Sequence, residues 1–172
     1  MTKAQKHKSL EKLITEYGAD ILDSEKYGQS DKYIQHGTTT TREHMISTAC
    51  VSIKIARAMH LRCDEQSLVR GALLHDYFLY DWHEPEGDHP KHATRHSSYA
   101  LKNASEDFAI NPLEAEIIRE HMFPCTLRIP LHRESWMLVL ADKACAVKET
   151  FSRPYYDDII GSINYESRKT NN

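Results

Sequence analysis

The adjacent residues His75 and Asp76 close an apolar run, Ala72-Leu73-Leu74, that is typical of a helix packed in a protein interior. Burying an ionised carboxylate without a partner costs several kcal/mol or more, so a compensating group is expected near Asp76. A divalent cation would compensate the charge, because imidazole and carboxylate are its usual protein ligands. Alone, the pair is weak evidence. Further anomalies along the chain strengthen it.

A second carboxylate, Asp142, interrupts the most apolar segment of the chain, which extends from Trp136 to Val147. Aspartate is rarely buried unless it is paired. An exposed position, with Lys143 as an ordinary surface partner, is one interpretation. The apolar neighbours on both sides favour the other, a buried carboxylate that a cation or several hydrogen bonds would stabilise.

Three of the chain's 11 histidines fall at further informative positions. His44 lies in the first turn of a predicted helix on its apolar stripe, and His121 ends another helix on the stripe of Ile117. His96 follows His92 by one helical turn, so the two share a face. Taken separately, each has an ordinary explanation. His44 would be a core histidine bonded to a backbone carbonyl, and His121 a partner of its helix C-terminus. His92 and His96 would lie on a solvated face. One metal centre would explain them together.

Helix signals cover most of the chain, and no segment shows convincing strand alternation. Thr40 and Glu43 form a capping-box pattern, Asp64 is typical of an N-cap, and Asn111-Pro112 is typical of a helix start. The predicted helices are 9–22, 41–58, one that begins at 65, about 91–103, 112–123, 134–151 and 157–163. These elements predict an all-α fold.

Length and composition predict one soluble domain. The chain has 172 residues, of which 40% are hydrophobic and 27% charged, with a formal net charge of -3. We therefore predict a single compact bundle of about six helices over residues 1–172, with a core at about 40–150 and helix 9–22 packed on it. This charge balance gives no electrostatic reason to expect a nucleic-acid polymer or a membrane surface as partner.

The chain also lacks targeting signals that would direct it out of the cytoplasm. No apolar stretch approaches the roughly 18 residues that span a bilayer, and the polar start has no signal-peptide core. The four cysteines show no CxxC spacing and are predicted to be reduced thiols. We predict a cytoplasmic protein.

In their order along the chain, these residues resemble the H…HD…H…H…D pattern of the HD-domain superfamily of metal-dependent phosphohydrolases. The resemblance covers about residues 40–150. Its strongest parts are Glu43-His44 at a helix start, the doublet within 71–76 and the last acid within 140–143. His96 is similar to the histidine that opens the family's third core helix, and His121 to the one that ends the fourth.

The resemblance implies a set of metal ligands, which consists of His44, His75, Asp76, His96, His121 and Asp142. His96 and His121 would hold one ion, the other four residues would hold another, and Asp76, which is also the expected catalytic residue, would bridge the two. One or two divalent transition metal ions (Fe, Mn, Co, Ni or Zn) suit this imidazole-rich set. Lys143 and Arg95 are candidates to bind substrate phosphate, although such basic residues are more often ordinary surface residues.

The function implied by the resemblance is hydrolysis of a nucleotide or another small phosphate ester by a metal-bound hydroxide. Two alternatives are a mixed-valent di-iron oxygenase on the same ligands and a non-catalytic ligand-sensing module. The complete ligand set argues against the sensing module. The sequence does not decide between the two enzymes, and it does not indicate an oligomeric state.

Departures from the family pattern argue against a cyclic dinucleotide as substrate. Tyr77 follows the doublet where cyclic-dinucleotide phosphodiesterases have glycine, and Met122 follows His121 where they have a second histidine. The aromatic segment 77–84 is predicted to form a pocket wall. Its Asp81 has an uncertain role, because its spacing does not match that of the catalytic carboxylates found beyond the doublet in some nucleotidases. His83 and His92 are at most pocket-lining residues.

Overall fold

The computed structural model describes residues 2–83 and 92–170, and helices dominate both ranges. The helices are α1 (Lys3–Tyr17), α2 (Ala19–Leu22), α3 (Glu25–Gly28), α4 (Thr41–Ala58), α5 (Glu65–Leu74), α6 (His92–Asp107), α7 (Pro112–Glu120), α8 (Arg133–Phe151) and α9 (Asp157–Thr170). A 3-10 turn spans Gln29–Lys32. It leads into a small antiparallel hairpin, β1 (Ile34–His36) and β2 (Thr39–Thr40). The predicted all-α class is confirmed.

The number and limits of the elements differ from the sequence prediction. The described ranges contain nine helices where about six were expected, and a hairpin where no strand was expected. The predicted helix 9–22 begins at Lys3, because Thr2 and Gln5 form a capping box, and it is divided at Gly18. The helices α6 and α9 extend beyond their predicted ends at 103 and 163, into polar sequence without an apolar stripe. The single-domain limits of 1–172 stay a prediction.

The predicted capping motifs position the helices that carry the candidate ligands. The Thr40 hydroxyl accepts the Glu43 backbone N–H at 3.2 Å, and a Glu43 carboxylate oxygen accepts the Thr40 N–H at 2.9 Å. Asp64 caps α5 through the N–H of Ser67. Asn111 and Glu114 form the corresponding box at α7. Each motif satisfies N–H groups that have no partner within the helix, so these helix starts are fixed by local sequence.

One buried apolar cluster connects the helices, from Leu10 on α1 to Ile163 on α9. The helix α4 is central and packs against both α5 and α8, while α5 packs against α7. This arrangement places the start of α4, the end of α5, the end of α7 and the middle of α8 around one point. No helix in residues 2–83 and 92–170 combines the length and apolarity that a bilayer span requires.

The contact between α5 and α7 depends on the absence of a side chain at Gly71. A Cβ there would lie 2.5 Å from Ile117 Cγ2 and 2.8 Å from Ile117 Cβ. We expect Gly71→Ala to lower the free energy of unfolding by about 1–3 kcal/mol, since overpacking must displace a helix or force a rotamer. The melting temperature should fall by roughly 2–4 °C per kcal/mol.

Gly161→Ala on α9 is the matched control for this substitution. A Cβ at Gly161 meets no atom within 4 Å, and alanine gains up to about 1 kcal/mol in an exposed helix interior. Chemical and thermal unfolding of both variants measure the difference. Equal stability of Gly71→Ala and the wild type would contradict the tight α5–α7 contact.

Candidate metal centre

Helix ends and helix interiors both contribute residues to one buried polar cluster. It contains all the ligands predicted from the family resemblance, namely His44 on α4, His75 and Asp76 at and after the C-cap of α5, His96 on α6, His121 at the C-cap of α7, and Asp142 on α8. All of these residues are buried, and Asp142 is the most exposed at 9%. The structure therefore brings together every residue of the proposed ligand set. Their assignment as ligands stays a prediction.

Two groups of three potential ligand atoms can be distinguished within the cluster. In the first, His44 Nε2 lies 3.2 Å from Asp142 Oδ1 and 3.3 Å from His75 Nε2. In the second, His96 Nε2 lies 2.8 Å from His121 Nε2, and Asp76 Oδ1 lies 3.2 and 3.4 Å from these two nitrogens. Each group has the size and composition of a site for one ion.

The carboxylate of Asp76 connects the two groups. Its Oδ1 faces the second group, whereas its Oδ2 lies 3.7 Å from His44 Nε2 and 3.5 Å from His75 Nε2 in the first. A single carboxylate thus presents one oxygen to each group. This is the arrangement required of a ligand that bridges two ions.

The nitrogen and oxygen atoms that face the centre of the cluster are suited to bind a cation. His75 Nδ1 and His121 Nδ1 each donate to a backbone carbonyl one helical turn earlier, at 2.7 Å, so Nε2 is the ring atom that each directs into the cluster, where its unprotonated form can bind an ion. Asp76 Oδ1 is buried and accepts no aligned hydrogen bond from the described residues. Imidazole nitrogens and carboxylate oxygens face one another in this buried site, with too few hydrogen-bond donors for all of them. A positive ion would stabilise such an arrangement.

The charges in the cluster keep both aspartates ionised. Burial alone would raise the pKa of Asp76, but the charge of His75 and the close approach of the His121 imidazole hold it well below its ordinary value. Burial likewise opposes ionisation of Asp142, yet hydrogen bonds from His44 and His75 lower its pKa. Carboxylates that stay ionised in a buried position are the form that binds metal.

Two buried side chains that sequence reasoning missed touch the cluster. Glu149 Oε2 lies 2.6 Å from His44 Nδ1, and Gln35 donates its amide N–H to Asp76 Oδ2 at 2.6 Å. Burial opposes protonation of His44, but Asp142 and Glu149 outweigh it and raise its pKa well above the ordinary value. The spacing of Glu149 from Asp142 is two helical turns, so the helical period carried a signal for Glu149. Gln35 had no such signal in the sequence, because no strand was predicted where β1 lies.

The ordinary interpretations of single residues hold only in part. His121 does bond to the carbonyl of Ile118 at its helix end, and Lys143 Nζ does lie 3.9 Å from Asp142 Oδ2. His96, however, is 5% exposed and is not on a solvated face. A residue can therefore make the ordinary local contact and also lie in or beside the cluster, as His121 and Lys143 do.

The two candidate phosphate-binding residues are placed differently. Lys143 is half-buried beside the cluster, and its Nζ donates to the His121 carbonyl oxygen at 3.2 Å. Arg95 is exposed on α6, and its side chain leaves the helix about 100° away from that of the buried His96. Lys143 therefore lies beside the cluster, whereas Arg95 is exposed to solvent.

The aromatic segment after the doublet forms a wall next to His96. The ring of Phe78 lies 5.9 Å from the His96 ring and 4.8 Å from that of Tyr80. Tyr80 in turn makes an edge contact with Tyr99 on α6 at 5.9 Å. Tyr77 is different, since it is fully buried in the core.

The remaining candidates from the sequence either lie away from the cluster or fall outside the residues that the structure describes. Asp81 accepts the backbone N–H of His83 at 2.9 Å, and both side chains are partly exposed. The side chain of His92 lies outside the described residues, as does residue 84 at the end of the predicted wall.

Comparison with known proteins identifies the family. The family model for the HD domain matches residues 41–147, well over half of the chain. The chain therefore belongs to the HD domain family, and the HD domain is characteristic of a superfamily of metal-dependent phosphohydrolases. A search of curated proteins and a search of solved structures each found no significant match.

Proposed function

We propose that the protein is a metal-dependent phosphohydrolase that acts on a nucleotide or another small phosphate ester. The observation that carries the proposal is the shared carboxylate of Asp76, with one oxygen facing each three-residue group. Two ions held at about 3.5–4 Å from each other are the arrangement that phosphatases use for in-line displacement at phosphorus.

The residues of the cluster would form two metal-binding sites. His44, His75 and Asp142 would hold one ion together with Asp76 Oδ2, and the pair His96 and His121 would hold another together with Asp76 Oδ1. When bound, such ions acidify a water molecule and neutralise the charge of phosphate oxygens.

Asp76 would have a second role beside binding. Its ionised carboxylate is buried and is held on one side by the Gln35 amide, so its orientation is fixed before substrate arrives. A fixed carboxylate between the two groups would orient a metal-bound water towards the phosphorus. For this reason Asp76 is the proposed catalytic residue.

Substrate binding would use a cation and an aromatic surface. Lys143 Nζ is held near the rim by the His121 carbonyl and by Asp142, and it offers a point charge to a phosphate oxygen. The partly buried ring of Tyr80, which packs on buried Phe78, offers a surface to the organic part of a small ester. Neither feature identifies one substrate.

A screen with metal-stripped and metal-reloaded protein tests this function. We expect stripped protein to release no inorganic phosphate from nucleoside monophosphates, sugar phosphates or an aryl phosphate. Reloading with Mn²⁺, Fe²⁺, Co²⁺, Ni²⁺ or Zn²⁺ should restore release with at least one of these ions.

The same preparation distinguishes the other functions. Protein that contains metal but releases no phosphate from any ester would contradict the proposal. Iron-dependent oxygen consumption by anaerobically purified protein would then assign the oxygenase, whereas ligand binding without turnover would assign a sensing module.

A further inference from the structure

Two buried polar side chains reach the ligand cluster from just outside the part of the chain that the HD domain model matches. Gln35 on β1 lies shortly before residues 41–147, and Glu149 on α8 lies just after them. Gln35 is 6% exposed and Glu149 is 1% exposed. Long polar side chains are seldom buried so fully unless they have partners, and here each has a candidate metal ligand as partner.

The contact of Glu149 fixes the orientation of His44. Glu149 Oε2 lies 2.6 Å from His44 Nδ1, and both side chains are inaccessible to solvent. A carboxylate at Nδ1 accepts the N–H there and leaves Nε2 as the atom directed towards Asp142. A buried carboxylate in this position also increases the basicity of the imidazole towards a metal.

The contact of Gln35 fixes the plane of the shared carboxylate. Its Nε2 donates to Asp76 Oδ2 at 2.6 Å, and its Oε1 accepts the hydroxyl of Thr41 at 3.4 Å. Because Thr41 is the first residue of α4, the amide is tied to the helix that carries His44. The carboxylate is thus held with Oδ1 towards His96 and Oδ2 towards the first group.

The hairpin turn that follows Gln35 also packs against the backbone of Glu149, so the two positioning side chains are structurally linked. Gly37 has a positive φ of 57°, and a Cβ at this residue would lie 2.5 Å from the Glu149 carbonyl oxygen. The turn after Gln35 therefore rests directly on the α8 backbone at Glu149. Any side chain at position 37 would strain the turn and push the hairpin away from α8.

We propose that Gln35 and Glu149 are positioning residues of the metal centre, supplied by the two segments that flank the matched HD domain. They set the metal affinity and the ligand geometry of the first group without binding the ion themselves. This inference depends on the metal centre proposed above, but it does not depend on phosphate ester hydrolysis.

The decisive variant is Glu149→Gln, which keeps the side-chain volume and removes the charge. Co²⁺ is the probe: its affinity is measured by competition with a chromophoric chelator, and its visible absorption reports the ligand geometry. We expect about 10–100-fold weaker Co²⁺ binding and a changed absorption spectrum, as is typical when an outer contact of a metal-binding histidine is lost.

Glu134→Gln is the matched control on the same helix. Glu134 is also a buried glutamate of α8, but it accepts the backbone N–H of Asp64 far from the ligand cluster. We expect this control to lower the melting temperature and to leave Co²⁺ affinity and the Co²⁺ spectrum unchanged. If Glu149→Gln behaves in the same way, with equal losses of stability in metal-free and loaded protein, its role is structural and the proposal is wrong.

Gln35→Met provides an independent test. It also serves if circular dichroism shows that Glu149→Gln does not fold. Methionine matches the length of glutamine and lacks the N–H that Asp76 Oδ2 accepts. We expect about tenfold weaker Co²⁺ binding, and wild-type affinity and spectrum in this variant would overturn the proposal. A wild-type protein that binds no Co²⁺ would overturn the metal centre as well, whereas one that binds Co²⁺ but releases no phosphate would overturn only the hydrolytic function.

Discussion

Asp76→Ala should lose bound metal and all metal-dependent turnover. Wild-type protein prepared without chelators is expected to contain at least about one transition metal ion per chain, and the variant close to none. The reason is that Asp76, alone among the described residues of the cluster, presents one oxygen to each of the two three-residue groups. Its removal therefore weakens two sites, and the loss should exceed the roughly 10–100-fold caused by losing an outer contact.

Elemental analysis and thermal unfolding measure this effect together. A ligand at 1,000 times its dissociation constant stabilises the folded state by about 4 kcal/mol, so adding metal should raise the melting temperature of the wild type and not of the variant. Asp76→Asn, which leaves no cavity, should behave like Asp76→Ala.

Asp107→Asn is a suitable control for the same measurements. Asp107 is a partly buried carboxylate at the end of α6 that accepts the hydroxyl of Tyr77 and pairs with Lys26. Since these contacts lie outside the ligand cluster, its metal content should equal that of the wild type. Full metal content in Asp76→Ala would refute the proposed metal centre.

The two aspartates among the candidate ligands could be found from the sequence because each breaks a local rule, whereas the full ligand set was implied by the family resemblance. Asp142 interrupts an apolar helix, and Asp76 ends one, so both raise the question of what stabilises a buried charge. Capping motifs placed the starts of the helices at 41 and 112 correctly, although the helix predicted over 112–123 ends at Glu120. These signals are local, and they survive in one sequence without any alignment.

The contacts around the ligands could not be found in that way. Gln35 reaches Asp76 across 41 positions of sequence, from a hairpin too short to show alternation. Which oxygen of Asp76 faces which histidine is likewise a result of tertiary packing. The family resemblance already implied the membership of the cluster and its division into two groups, whereas the distances and the orientation of each side chain required the structure.

His121→Ala is expected to reduce bound metal towards half and to abolish turnover. Its Nε2 belongs to the second group, which offers an ion two neutral imidazoles and one shared carboxylate oxygen. The first group offers the carboxylate of Asp142 in addition, so it should keep its ion when the second is lost. Turnover should disappear with the second ion because both ions act on the phosphate.

His96→Ala and His132→Ala make this prediction specific. His96 Nε2 lies 2.8 Å from His121 Nε2, so the His96 variant should show the same half-loss of metal. His132 is a histidine of similar chemistry that bonds to Glu116 at 2.6 Å and is largely exposed, and its variant should keep both ions.

A different outcome would assign these two histidines to the substrate. If a single ion is bound by the first group, His121→Ala will keep the full metal content of the wild type. The buried imidazoles would then contact phosphate directly, and the variant would show a raised KM with little change in metal. Metal analysis and steady-state kinetics on one preparation therefore decide between the two arrangements, because only the two-ion centre couples the loss of metal to the loss of turnover.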